Sequence, residues 1–135
     1  MSTKLSVAVH ILSLLDIEAE NHLSSTQIAG SVKTNPVVIR RIMSQLKQAN
    51  LVESYVGKKS NKLAKLPSEI TLLDIYLAVS EDELPFGIHQ NTEMNCVVGS
   101  QIQGVLDQTY QTIQMELMTS LKKITLEDIT SQIIK

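Results

Sequence analysis

Arg40 and Arg41, with Lys47 about two helical turns on, are side chains suited to a polyanion. A guanidinium forks onto a phosphate or a guanine edge, and a lysine adds a mobile point charge. They belong to a larger concentration of charge. Eight of the twelve Lys and Arg lie between Lys33 and Lys65, where Glu53 is the only acid, so this stretch carries +7. The rest of the chain sets four cations against thirteen acids, a charge of −9, within a whole-chain charge of −2. A net-acidic chain that gathers its cations into one contiguous third is expected to meet a polyanion on one face. The other reactive group is the thiol of Cys96, the only cysteine. His89, Glu93 and Cys96 are too mixed a ligand set, on too loose a segment, for zinc, so no metal is expected. There is no glycine-rich phosphate loop, GxSxG or HExxH, and the three histidines stand far apart. No catalytic residues and no enzymatic activity are expected, because an enzyme would leave the charge distribution unexplained.

The elements that must position these groups read as helix, tight turn, helix and basic hairpin. Ser24 is an N-cap with Gln27 three residues on, a capping box that opens a helix over 25–32. After a four-residue break, Asn35 caps a second helix with Pro36 at its first position. Over 36–49, Val38, Ile39, Ile42, Met43, Leu46 and Ala49 fall on one side at helical spacing. Val37, Arg40, Arg41, Ser44, Lys47 and Gln48 fall on the other. Arg can pair with guanine, Gln with adenine, and Val can touch a thymine methyl, which are the groups a recognition helix needs. Ser25, Thr34 and Asn35 flank that face as further DNA-contacting candidates. Residues 51–56 and 61–66 then read as two strands around a turn at 57–60. Lys58, Lys59 and Lys62 at this wing are expected to lie along the phosphate backbone, although lysines also protect a hairpin edge from aggregation.

Residues 4–19 read as a leading helix with a wide apolar stripe, in which His10 is expected to be a hydrogen-bonded histidine at the core edge. Thr71 with Asp74, and Thr125 ahead of the acids at 127 and 128, read as further helix caps, not catalytic carboxylates. Residues 85–94 form an irregular connector. From Asn95 or Cys96 to Lys122 the pattern is one long helix, with Val98, Ile102, Val105, Leu106, Thr109, Ile113, Leu117 and Leu121 at coiled-coil-like spacing. So long an apolar stripe is expected to pair with that of a second chain, making a homodimer. Two readings of Cys96 stand. At the first turn of that helix its thiolate would be stabilised for reaction with oxidants; alternatively it is a small packing residue.

The 135 residues form one domain, or one small domain with an arm, divided at 1–80 and 81–135. The fold class is mainly α with a small β wing: a winged helix-turn-helix plus a long C-terminal dimerisation helix. With no Trp, one Phe and three Tyr, the chain lacks the aromatic platforms on which single-stranded bases stack. The apolar run 7–15 is interrupted by His10 and Ser13 and is too short to span a bilayer, so no membrane association is expected. A lone cysteine excludes an intrachain disulfide framework, and the cytoplasm is the expected compartment.

The segments KLSVAVHIL, SSTQIA, NPVVIRRIMSQLKQANLVES and EITLLDIYLAV resemble the bacterial Rrf-two family of winged-helix transcription regulators over nearly the whole chain. The resemblance implies a homodimer on a pseudo-palindromic operator in double-stranded DNA, with recognition helix 35–50 and wing 52–65; repression is the expected mode. The family often has a glycine-rich wing tip, whereas this chain reads GKKSNKLAK, which shifts the wing from minor-groove reading towards phosphate contact. Iron–sulfur members carry three cysteines near the start of the long helix. This chain has one, so no cofactor is expected, and it resembles the single-cysteine members that lack a cluster. The functional expectation is a sequence-specific regulator, thiol-responsive through Cys96 or responsive to a small molecule in the connector. A winged-helix protein-interaction module without DNA binding is the competing class, and the effector is left open.

Overall fold

The computed structural model describes residues 2–55, 57, 60–80 and 91–133. Among these residues lie six α-helices and a two-stranded sheet: α1 (Lys4–Ile17), α2 (Ser25–Val32), α3 (Pro36–Gln48), β1 (Val52–Ser54), β2 (Asn61–Leu63), α4 (Leu72–Val79), α5 (Ile102–Lys122) and α6 (Leu126–Thr130). They divide into two compact units, residues 1–81 with 121–135, and residues 82–120.

In the first unit α1 is the hub. It touches α2, α3, α4, α6 and β2, and Ala8, Ile11, Leu12 and Leu15 are buried along it. Ile28 and Ala29 of α2, Ile39, Ile42, Met43 and Leu46 of α3, Ile75 and Val79 of α4 and Leu126 of α6 close the same core. Each buried Leu or Ile contributes roughly 1.5–3 kcal/mol relative to exposure, and this packing holds α3 with its polar face outward.

The helix ends are fixed locally, as expected. Ser24 Oγ accepts from Gln27 N–H at 3.2 Å while Ser24 N–H donates to Gln27 Oε1 at 2.8 Å. Thr71 with Asp74, and Thr125 with Asp128, make the same reciprocal pair. At the end of α3, Asn50 turns left-handed at φ 60°, and the N–H groups of Asn50 and Leu51 donate to the carbonyls of Lys47 and Leu46. Leu51 and Leu46 are both buried, completing a Schellman motif that sets the chain's exit towards the wing. There β1 and β2 pair antiparallel with Val52 opposite Leu63, Glu53 opposite Lys62 and Ser54 opposite Asn61.

Two stretches differ from the sequence expectation. First, residues 121–135, grouped in the sequence with 81–120, belong with the first unit, where the five-residue α6 packs on α1 and the turn Pro67–Glu69. A short antiparallel bridge holds it there: Leu72 N–H donates to Ile124 O at 2.9 Å and Leu126 N–H to Ile70 O at 2.8 Å. Second, α5 begins at Ile102, not at 95–96. Residues 94–101 run as successive turns in which Gly99 lies so close to the Glu93 carbonyl that a Cβ would not fit there. That approach spans six positions and leaves no helical period to read. Cys96 and Val98 therefore precede the helix, contrary to their expected places in its first turn and on its stripe. None of the 21 residues of α5 is buried.

Candidate nucleic-acid interface

The helix-turn-helix is built by α2 and α3. The α2 helix ends at Lys33, left-handed at φ 60°, whose N–H donates to Ala29 O at 2.8 Å. Asn35 then caps α3, its Oδ1 accepting from Val37 N–H at 2.8 Å. With Ile39, Ile42, Met43 and Leu46 buried, Val37, Arg40, Arg41, Ser44, Lys47 and Gln48 are all exposed on the opposite face. Val37 is 55% exposed, an apolar contact surface among polar neighbours. Asn35 is exposed at the helix start, and Thr34 and Ser25 are half-buried beside it.

Of these candidates, Ser25, Arg40, Ser44 and Lys47 line one cavity of about 230 Å³ together with Met43 and Asn61. Thr34, Asn35, Val37 and Arg41 lie outside its lining. Among the described residues Arg40 and Lys47 form no ion pair. Lys62 does: its Nζ is 3.4 Å from Glu53 Oε1, its cross-strand neighbour, and 5.3 Å from the centre of the Tyr55 ring. Both partners are about half exposed, so the pair is worth about 0–1 kcal/mol and can yield to a phosphate. Lys58 and Lys59 lie outside the described residues.

Sequence reasoning did not find Asn61, Tyr55 or His22. Tyr55 ties the wing to the loop after α1, its hydroxyl donating to Ala19 O at 3.3 Å and its ring meeting the His22 ring edge-on at 4.4 Å. Two aromatic rings 33 positions apart give no periodic signal, and Asn61 becomes visible only once the Ser54–Asn61 register is known. His10 is exposed and its Nε2 lies 3.1 Å from Ser31 Oγ, a surface tie between α1 and α2, not a core-edge group.

The Rrf2 family model, described as an iron-dependent transcriptional regulator, matches residues 1–132. The chain belongs to the Rrf2 family. It is 39% identical over 133 residues to YwnA of Bacillus subtilis (strain 168), an inferred HTH-type transcriptional regulator, spanning 98% of each chain. A crystal structure of a protein described as DNA-binding has a TM-score of 0.77 at 39% identity, covering 93% of this chain and 97% of that one. CymR, the global cysteine regulator of B. subtilis, shares the fold, with a TM-score of 0.69 at 23% identity over 99% of this chain and 98% of its own. These Rrf2 neighbours make the architecture a winged-helix regulator fold and place the chain among transcriptional regulators.

The family description names iron, and the donors here do not fit it. A cluster is held by several thiolates, whereas this Rrf2 chain has one cysteine, exposed and outside any helix. Among the described residues no three His, Cys, Asp or Glu converge on a point. Among the described residues no helix is long and apolar enough to cross a membrane.

Proposed function

We propose that this Rrf2-family chain is a homodimeric repressor that reads a pseudo-palindromic operator in duplex DNA with the outer face of α3. The observation that carries this is that face itself. It is exposed, carries Arg40, Arg41 and Lys47 with no acid among them, and is held on a buried apolar side. An apolar outer face would have favoured a protein partner instead. Two copies would place their α3 helices in successive major grooves about 34–36 Å apart. The wing lysines, Lys58, Lys59 and Lys62, would neutralise phosphates and so supply affinity without sequence preference.

The homodimer is supported by α5. Val105, Thr109, Ile113 and Leu117 recur every four residues and are all exposed, while Ile102, Leu106 and Leu121 are half-buried, so the stripe has no full cover among the described residues. A second copy of the helix would supply one, and Val98, exposed in the turns ahead of it, is a further apolar candidate for that contact. The cytoplasm is the compartment that goes with operator DNA.

The direct test is fluorescence anisotropy of the purified protein on duplexes selected by it from a random pool, against random duplex, across salt. Selective and salt-dependent binding is the expected result. Failure to enrich any sequence would overturn it in favour of a protein-interaction module. A thiol signal rests on the exposure of Cys96. Peroxide would oxidise the thiolate to a sulfenic acid and itself be reduced to water. A Cys96→Ser protein that responds to peroxide as the wild type does would remove Cys96 from the reading. A small-molecule signal is the second reading. The groove that favours it, about 530 Å³ and largely apolar, lies not in the connector but between α1, the start of α4 and α6, lined in part by Leu5, Val9, Leu72 and Ile129.

A further inference from the structure

The cavity shared by α2, α3 and β2 collects donors from three elements that are separate in sequence. Arg40 and Lys47 enter from α3, Ser25 from the start of α2 and Asn61 from the wing. The lining contains no acid, and neither cation has an ionic partner among the described residues. Two like charges directed at one cavity repel each other unless an anion stands between them. Two residues with neutral donors, Ser25 and Asn61, line it as well. The capping box of α2 uses Ser24 and Gln27, which leaves the first-turn amides of Ser25 and Thr26 outside it, at the positive end of the helix. The carbonyl oxygen of Asn61 accepts from Ser54 Oγ at 3.3 Å, so its NH2 group is left to donate. A space of about 230 Å³ takes a tetrahedral oxyanion with some of its water, at about 30 Å³ per water-sized group.

We infer that this cavity seats one backbone phosphate of duplex DNA, with Arg40, Lys47, Ser25 and Asn61 as positioning residues that fix α3 and the wing on the same phosphate. The inference rests on the DNA-binding reading above and divides the α3 face in two. At about 100° per residue, Arg40 and Lys47 occupy one flank of the helix, and Gln48 and Arg41 the other, with Ser44 and Val37 between. The first flank is docked on the backbone, and base discrimination falls to Val37, Arg41 and Gln48. A phosphate held by both α3 and β2 also fixes register, because it prevents the helix from sliding along the groove independently of the wing.

The test pairs protein variants with neutralised DNA. Binding of wild type, Arg40→Ala, Lys47→Ala and Arg41→Ala is followed across salt on a random duplex and on a duplex that the wild type has selected from a random pool. Arg40→Ala and Lys47→Ala should each weaken both duplexes by the same factor, about tenfold, and lower the salt slope by about one. Arg41→Ala should weaken the selected duplex by about tenfold more than the random one. A set of selected duplexes, each with one methylphosphonate, should show one position per half-site that weakens the wild type and has no further effect on Arg40→Ala. Loss by Arg40→Ala confined to the selected duplex would make Arg40 a base reader and overturn the seat. So would the absence of any methylphosphonate position whose effect disappears in that variant. Wild type that binds neither duplex would instead defeat the DNA-binding reading, and the seat with it. All three arginine and lysine positions are exposed, so the alanine variants keep the core intact, which circular dichroism checks.

Discussion

The Asn50 turn is where the recognition helix hands over to the wing, and its conformation can be tested by substitutions that touch almost nothing else. Asn50 is exposed and left-handed at φ 60°, so Asn50→Gly and Asn50→Ala alter the backbone preference and little packing. A left-handed residue with a Cβ carries roughly 1–2 kcal/mol of strain that glycine avoids, and asparagine tolerates the region better than alanine. Glycine gives back about 0.4–1 kcal/mol through the greater freedom of its unfolded chain. The expected order of stability is therefore Gly at or slightly above Asn, with Ala lowest, and a Gly–Ala gap of about 1 kcal/mol. Urea unfolding at one fixed protein concentration measures this, since association would make stability concentration-dependent. The two N–H bonds of the turn, from Asn50 to Lys47 O at 3.0 Å and from Leu51 to Leu46 O at 3.0 Å, exist only in that conformation. If Asn50→Ala proved as stable as Asn50→Gly, the left-handed turn, and with it the placement of the wing relative to α3, would be wrong.

Asn35→Ala removes the acceptor for Val37 N–H and should cost about 1 kcal/mol in the same urea experiment, with Asn35→Ser restoring most of it. Leu117→Asp, on the exposed stripe of α5, should shift the protein towards monomer in sedimentation velocity and weaken operator binding; an unchanged oligomer would show that α5 is not the contact. Tyr55→Phe loses one exposed hydrogen bond to Ala19 and should cost less than about 1 kcal/mol, whereas Tyr55→Ala also loses the His22 and Lys62 contacts. Only the latter should weaken binding to random duplex, because it unties the wing; equal binding by both variants would remove Tyr55 as its anchor.

Much of α3, the helix proposed to face DNA, is legible in the residues alone. The Ser24–Gln27 box, the Asn35 cap ahead of Pro36 and the division of α3 into a buried apolar and an exposed cationic side all follow from residues within a few positions of one another. The start of α5 is not legible in this way. The apolar period continues back through Val98 and points to a start at Cys96, but 94–101 run as turns in which Gly99 lies close against the Glu93 carbonyl, and no period records such a contact. Lys62 reads in the sequence as a phosphate contact at the wing; its pairing with Glu53 emerges only with the hairpin register.

By itself, the sequence determined where the cations lie, which helix carries them and how each helix begins. Those properties are set by neighbours along the chain, through capping hydrogen bonds and helical periodicity. Only the tertiary structure decided which of those cations act together. Packing of α2 and α3 on the shared core, with β1 and β2 in register, brings Ser25, Arg40, Lys47 and Asn61 around one cavity and leaves Arg41 outside it. Side chains 36 positions apart in the chain meet because core burial fixes the angles between the elements that carry them, and that angle is written in no local stretch of residues.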